Sequence, residues 1–365
     1  MGTITRSFAN NITSGGTFDA TDLTGTIPAS NIADASVTNI TAVPSLTATS
    51  TVASDPPSPD AGQVWYNTTD KALRAYVQGV ASWATGGDMN GARFGISGAG
   101  TQTAGLAFNG ESPGGPRSGL TETYDGTTWT EVNDSNSSLY YRAGAGTQTS
   151  ALSFGGGLPY SALNETWNGT SWTEVGDLNT ARYNLGGVGA DNTSALGIAG
   201  QNAGGVGLAI TESWNGTSWT EVNDLNSGRA TIRAFGTSAS AIAFGGYDYA
   251  PNVTGKTESW NGTSWTEVND LNTARYDGAA TGTSLSGLAI SGQSPAVPGA
   301  TAVVEEWGGT SWTEVADLST ARFGLGGAGS ATAGLAFTGR IPPAAYPVGS
   351  EEYEARLVTT DLGAS

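Results

Sequence analysis

The segment Glu165-Thr-Trp-Asn-Gly-Thr-Ser-Trp-Thr-Glu-Val175 constrains this chain more than any other feature, because it returns almost unchanged at 212–222 and 258–268. A fourth copy reads Glu305-Glu-Trp-Gly-Gly-Thr-Ser-Trp-Thr-Glu-Val315, and a looser one, Glu122-Thr-Tyr-Asp-Gly-Thr-Thr-Trp-Thr-Glu-Val132, comes first. The second tryptophan falls at Trp129, Trp172, Trp219, Trp265 and Trp312, spacings of 43, 47, 46 and 47, and Trp83 lies 46 residues before Trp129. A period of this length belongs to a four-stranded propeller blade rather than to a helical solenoid.

Each unit parses into four strands. It opens with an Ala-Arg-aromatic element (Ala92-Arg-Phe94, Ala181-Arg-Tyr183, Ala274-Arg-Tyr276, Ala321-Arg-Phe323, with variants around Arg142 and around Arg229 or Arg233), read here as the innermost strand. A Gly/Thr/Ser turn leads to a small-residue apolar strand such as Gly105-Leu-Ala-Phe-Asn-Gly110 or Ala241-Ile-Ala-Phe-Gly-Gly246, whose small side chains suit a region where sheets converge. After a variable loop come the Glu-x-Trp strand, a tight Asn-Gly-Thr turn and the Trp-Thr-Glu-Val edge strand.

The order of double glycine, acidic-x-aromatic, Trp and Ala-Arg resembles the kelch repeat, a β-propeller family, over residues 83–358. The aromatics here are five apart, shorter than the kelch pattern. Counting gives six Ala-Arg-type elements, six small-residue strands and six acidic-x-aromatic strands, the last at Glu351-Glu-Tyr353. The sixth unit has no Trp-Thr-Glu-Val strand of its own, so the strand at Trp83 is expected to complete it and remove an exposed sheet edge. The expected fold is all-β: a six-bladed kelch-like propeller over 83–365 closed by N- and C-terminal strands, an extended attachment segment at 1–57, and a linker with a β-hairpin at 58–82.

Composition narrows function. A formal charge of −18 with only 14 Lys and Arg gives no basic footprint for nucleic acid. With no Cys and no His, disulfides, structural zinc, thiol nucleophiles and imidazole catalysis drop out. No run approaches the roughly 18 apolar residues of a membrane span, and Met1-Gly-Thr-Ile-Thr-Arg-Ser lacks a signal-peptide core.

From Thr3 to about Pro57 single apolar residues, including Ile4, Phe8, Ile12, Phe18, Leu23 and Ile27, recur every four or five positions among Thr, Ser, Ala and Asn. They are too few to offset the entropy of ordering a free-standing domain, so these side chains are expected to anchor the segment against other copies or a larger assembly. Gly62-Gln-Val-Trp-Tyr-Asn-Thr-Thr-Asp-Lys-Ala-Leu-Arg-Ala-Tyr-Val77 reads as a hairpin with its turn over 67–71. That stretch and Leu23-Thr-Gly-Thr-Ile-Pro-Ala-Ser-Asn-Ile-Ala-Asp-Ala-Ser-Val-Thr38 resemble segments near the N-termini of tailed-phage fibre and other virion proteins. The resemblance implies a virion protein whose N-terminal segment meets other virion proteins.

The repeated Glu and Arg residues are read as scaffold, pairing between blades. The non-repeated carboxylates Glu111, Asp191, Asp248, Asp277 and Glu354 show no spacing that pairs two of them as a glycosidase requires. Thr123-Tyr-Asp-Gly-Thr-Thr-Trp129 resembles the Asp box of six-bladed sialidases, but lacks the residue between Asp and Gly. Asn168, Asn215 and Asn261 sit in Asn-Gly-Thr sequons read as turns, and the Asp-x-Asn pairs (Asp88/Asn90, Asp177/Asn179, Asp224/Asn226, Asp270/Asn272) reproduce no EF-hand loop. What varies from blade to blade is the loop between second and third strands, where recognition is usually placed. Arg117, Tyr160, Tyr247, Asp248, Tyr249, Lys256, Arg340 and Tyr346 there suit sugar stacking and hydrogen bonding.

The expectation is a non-enzymatic virion protein, a tail fibre or tail appendage, displaying its propeller to host-surface glycan or another receptor, as a homo-oligomer such as a trimer. No cofactor, metal, nucleic acid or membrane insertion is expected. The alternatives are a capsid-surface fibre or cementing or spacer protein without receptor binding, and a receptor-trimming glycosidase.

Overall fold

A computed structural model describes residues 51–52, 54, 64–69, 72–78, 81–157, 160–248, 252–295, 297–355 and 357–361. The expected anchoring residues Ile4, Phe8, Ile12, Phe18, Leu23 and Ile27 lie outside them. The chain forms two compact units, one of 81–355 and one of 1–80 with 356–365.

The larger unit is an all-β, six-bladed propeller of antiparallel four-stranded sheets. From inside outward, blade 1 is Ser97–Thr101, Ala104–Phe108, Thr121–Tyr124 and Trp129–Val132. Blade 2 is Ala143–Thr147, Ser150–Phe154, Asn164–Trp167 and Trp172–Val175; blade 3 is Gly186–Asp191, Ser194–Ile198, Thr211–Trp214 and Trp219–Val222. Blade 4 is Arg233–Gly236, Ala241–Phe244, Thr257–Trp260 and Trp265–Val268; blade 5 is Ala279–Thr283, Ser286–Ser294, Val297–Trp307 and Trp312–Glu314. Blade 6 is Gly326–Gly329, Ala333–Phe337, Ser350–Glu354 and, from earlier in the chain, Ser82–Thr85. Trp83 pairs with Tyr353 in register, and its ring lies 5.1 Å from the tyrosine's. The strand before the first Ala-Arg element thus completes the sixth sheet, as its spacing foretold.

The innermost strand is not the Ala-Arg-aromatic element but the Gly/Ala run after it. Small residues dominate there, Arg233 and Phe235 of blade 4 being the departures: a Cβ on Gly98 would lie 2.6 Å from the Gly327 carbonyl oxygen, and one on Gly144 would lie 2.8 Å from that of Gly98. A Gly/Ala run carries no β-branched or aromatic signal, which is why the neighbouring element looked the better strand. The core fills the wedges between adjacent sheets. Phe108, Phe154, Phe244 and Phe337 each meet a tryptophan of the next blade, Trp172, Trp219, Trp312 and Trp129, with ring centroids 4.8 to 5.0 Å apart. The last pair joins blade 6 back to blade 1. All eight rings are buried, where aromatic pairs add about 0.5–1.5 kcal/mol each beyond their area.

The repeated arginines pair with the repeated glutamates, but within a blade rather than between blades. Arg93 Nη2 donates to Glu122 Oε1 at 2.6 Å, and Arg142–Glu165, Arg182–Glu212, Arg229–Glu258, Arg275–Glu305 and Arg322–Glu351 repeat the pair. The glutamate's second oxygen accepts from the segment arriving from the preceding blade: Asn90 N and Nδ2 donate to Glu122 Oε2 at 2.7 and 3.0 Å. Asn136, Asn179, Asn226 and Asn272 do the same in blades 2 to 5. Burial pulls these guanidinium pKa values below their ordinary value, and the facing glutamate acts against that pull. Asp177, Asp224 and Asp270 accept from the first backbone N–H of the third strand, so the Asp-x-Asn pairs fix the blade joints. Asn168 Oδ1 accepts from Thr170 N and Ser171 N, both at 2.9 Å, which closes the Asn-Gly-Thr turn around Gly169 at φ +90°.

In the smaller unit Val64–Asn67 pairs antiparallel with Ala72–Gln78 and parallel with Thr51–Val52. Leu357–Asp361 pairs with Ala72–Gln78. The propeller strands therefore stop at Glu354, short of the 365 read from sequence, and the next strand belongs to another sheet.

Candidate functional site

The segment that enters each inner strand shapes one mouth of the propeller. At the equivalent position in each blade stand Gly95, Tyr141, Asn184, Thr231, Asp277 and Gly324, all left-handed, with φ of 59, 53, 57, 56, 59 and 61°. Their amides form a closed ring. Tyr141 N donates to Gly95 O (2.7 Å), Asn184 N to Tyr141 O (3.2 Å), Thr231 N to Asn184 O (2.7 Å), Asp277 N to Thr231 O (3.4 Å), Gly324 N to Asp277 O (2.8 Å) and Gly95 N to Gly324 O (2.8 Å). One backbone path is thus laid down six times and carries a different chemical group almost every time.

The residue just before each ring position is aromatic in five blades: Phe94, Tyr140, Tyr183, Tyr276 and Phe323, with Ala230 in the sixth. Each is tied to the start of its variable loop. Phe94, Tyr183, Ala230, Tyr276 and Phe323 form bridges to Glu111, Gln201, Tyr247, Gln293 and Arg340, and Gly157 N donates to Tyr140 O at 2.7 Å. The loops and the aromatics therefore share one face, as a collar around the axis.

Most of the sequence-predicted residues join that collar. Tyr160 packs edge-on against Tyr183 at 5.1 Å, and Tyr247 against Tyr276 at 5.5 Å. Arg117 lies over the Tyr140 ring at 5.2 Å. Arg340 sits among Phe94, Phe323 and Tyr346 at 5.9, 5.8 and 5.7 Å, and Tyr346 packs on Phe94 at 5.5 Å. Asp248 follows Tyr247 and is half-buried, with Oδ1 lacking a hydrogen-bond partner. The Lys256 carbonyl accepts from Arg229 Nη1 at 2.6 Å, a backbone brace within the blade. Tyr249 lies outside the described residues. Sequence reasoning did not place Tyr140, Tyr141, Tyr183, Asn184, Arg233 or Tyr276 at the site, and it named Asp277 only as a non-repeated carboxylate without a partner. Residues in repeated slots looked like scaffold, although the aromatic beside each Arg has no role in the Arg–Glu strut, and that was the available signal.

Electrostatics concentrate at Asp277. Its carboxylate accepts from Arg233 Nη2 and from Tyr141 OH, each at 3.0 Å. Burial pushes its pKa from 3.8 up to about 6 against the pull of Arg233, and burial with Asp277 holds the Tyr141 phenol well above its ordinary value. Burial, with the phenols of Tyr247, Tyr160 and Tyr140 nearby, pushes Tyr183 up to about 12. Between the inner strands lies an axial cavity of about 80 Å³, lined by Tyr141, Arg142, Asn184, Arg233 and the Gly/Ala backbone. Among the described residues, no three His, Cys, Asp or Glu side chains are grouped to hold a metal ion. The arrangement offers aromatic faces, a few cations and a small polar cavity at one end of a stiff scaffold, which is the chemistry of stacking and hydrogen bonding to a ligand. No protein-family profile matches the sequence, and a search of curated proteins finds no significant relative.

Proposed function

We propose that this chain is a non-enzymatic recognition protein of a tailed-phage particle, a tail fibre or tail appendage with a kelch-like propeller that binds host-surface glycan. The observation that carries the recognition half is the collar: rings of Phe94, Tyr140, Tyr183, Tyr276 and Phe323, extended by Tyr160, Tyr247, Arg340 and Tyr346, on the loop-bearing face. Aromatic and Arg side chains of this kind, held in place by their neighbours, lose little entropy on binding a sugar face. The particle half rests on the resemblance of the first 80 residues to virion proteins, and the N-terminal segment would meet other virion proteins there. The test is binding of the purified full chain to immobilised bacterial envelope polysaccharides. Wild type binds at least one, and Tyr247→Ala with Tyr160→Ala weakens that binding by about tenfold or more, some 1.4 kcal/mol. Retention of no polysaccharide by the wild-type chain would overturn the recognition half.

A further inference from the structure

The ring of left-handed residues places side chains where glycine would serve the backbone, and two of the six are strained there. Glycine adopts φ near +60° without steric cost, and blades 1 and 6 use it there, at Gly95 and Gly324. The other four blades place Tyr141, Asn184, Thr231 and Asp277 on the same backbone. Asn and Asp tolerate that region, but bulky Tyr141 and β-branched Thr231 are strained there by about 1–3 kcal/mol each, a cost that persists where the surrounding structure fixes it. Two of these side chains also leave buried oxygens without partners: Asn184 Oδ1 and Thr231 Oγ1, in residues 8% and 3% exposed. An unpartnered buried acceptor is itself costly, by about 1–3 kcal/mol.

Asn184 lines the axial cavity together with Tyr141 and Arg233, whereas Thr231 faces a neighbouring void of about 10 Å³, room for roughly one water. Arg233 donates Nε to Gly278 O, Nη1 to Ile232 O and Nη2 to Asp277, which leaves part of its donor fork unspent beside the cavity. Asp277 behind it cancels its charge. The cavity therefore offers a free acceptor, spare N–H donors, a phenol oxygen and no net charge. A ligand whose every polar atom both donates and accepts, and which carries no charge, satisfies all of these at once. Hydroxyls do so; a cation would face Arg233, and Asp277 on Arg233 and Glu165 on Arg142 leave no net positive charge to hold an anion.

We infer that Tyr141, Asn184 and Arg233 form an axial subsite that takes the hydroxyl-bearing end of a neutral sugar, with Asp277 as the positioning residue that orients Tyr141 and Arg233. The inference rests on the glycan-binding reading above and specifies where and how the sugar terminus is held. At about 80 Å³ the cavity admits several water-sized groups, the edge of one sugar ring rather than a chain.

The experiment uses the full chain and free D-galactose, D-glucose and N-acetyl-D-glucosamine, with saturation-transfer NMR to detect binding and titration for affinity. At least one sugar binds wild type, Asn184→Gly weakens it by about tenfold or more, and Tyr141→Phe weakens it by about fivefold. Because glycine already occupies the same position in two blades, Asn184→Gly is expected to keep the fold, checked by its melting temperature. The subsite is overturned if none of the three sugars binds, or if Asn184→Gly binds like wild type. Immobilised polysaccharide is assayed in parallel. If wild type retains none, the glycan reading fails as a whole; if wild type and Asn184→Gly retain it equally, only the axial subsite fails.

Discussion

The outer half of each blade and the axial collar obey opposite rules. In the outer half the same residue types recur and make the same contacts: glutamate to arginine in all six blades, glutamate to the incoming asparagine in five, and tryptophan to the preceding blade's phenylalanine in four. At the left-handed ring inside the collar the backbone recurs and the side chains do not. Where a repeat protein keeps both, the residues serve the fold. At the axial ring it keeps the conformation and changes the chemistry, and at Tyr141 and Thr231 it does so against conformational preference.

This contrast can be broken by substitution. The largest effect is expected at the outer half: Glu212→Ala strands the fully buried Arg182 and frees Asn179, and should cost about 3–5 kcal/mol in urea denaturation. Next comes Asp277→Asn, whose effect depends on pH. Because the folded-state pKa is raised from 3.8 to about 6, the native protein binds the proton more tightly than the unfolded chain, so this group's contribution to stability falls as pH rises from about 4 to about 6. The stability of Asp277→Asn relative to wild type should climb over that window, by on the order of 3 kcal/mol, and level off above it. The other carboxylates that titrate in the lower part of that window are common to both proteins and cancel in the difference. A flat difference between the two proteins from pH 4 to 7 would show that the carboxyl is not buried as described. The smallest effect is expected for Thr231→Gly, where relief of a left-handed β-branched residue offsets lost packing and a more flexible unfolded chain, for a net change under about 1 kcal/mol. A loss there as large as that of Glu212→Ala would place the collar among the scaffold residues.

Much of the fold was legible because a repeat turns weak local signals into a count. The period of the tryptophans gives the number of blades, and Trp83, one period early, gives the closing strand. The Arg–Glu pairing was legible too, but its geometry was not: that Arg93 and Glu122 share a sheet depends on where the inner strand begins, and the Gly/Ala runs that form it show no β pattern. The collar was legible only in its outer parts, Arg117, Tyr160, Tyr247, Arg340 and Tyr346, which stand in loops that visibly differ. Tyr141, Asn184, Thr231 and Asp277 share no residue type and no motif. What unites them is one torsion angle and one chain of amide hydrogen bonds, and neither can be read from letters.

The strand Ser82–Thr85, made among the earliest of the propeller, clasps Ser350–Glu354, made last. A chain emerging from the ribosome can stack its blades one upon another, yet it holds an open crescent with bare backbone at both rims until translation has run some 270 residues past Trp83. Cooperativity in this molecule is therefore decided only once Ser350–Glu354 has been made, and a fragment lacking either half of the clasp is a different object from the ring.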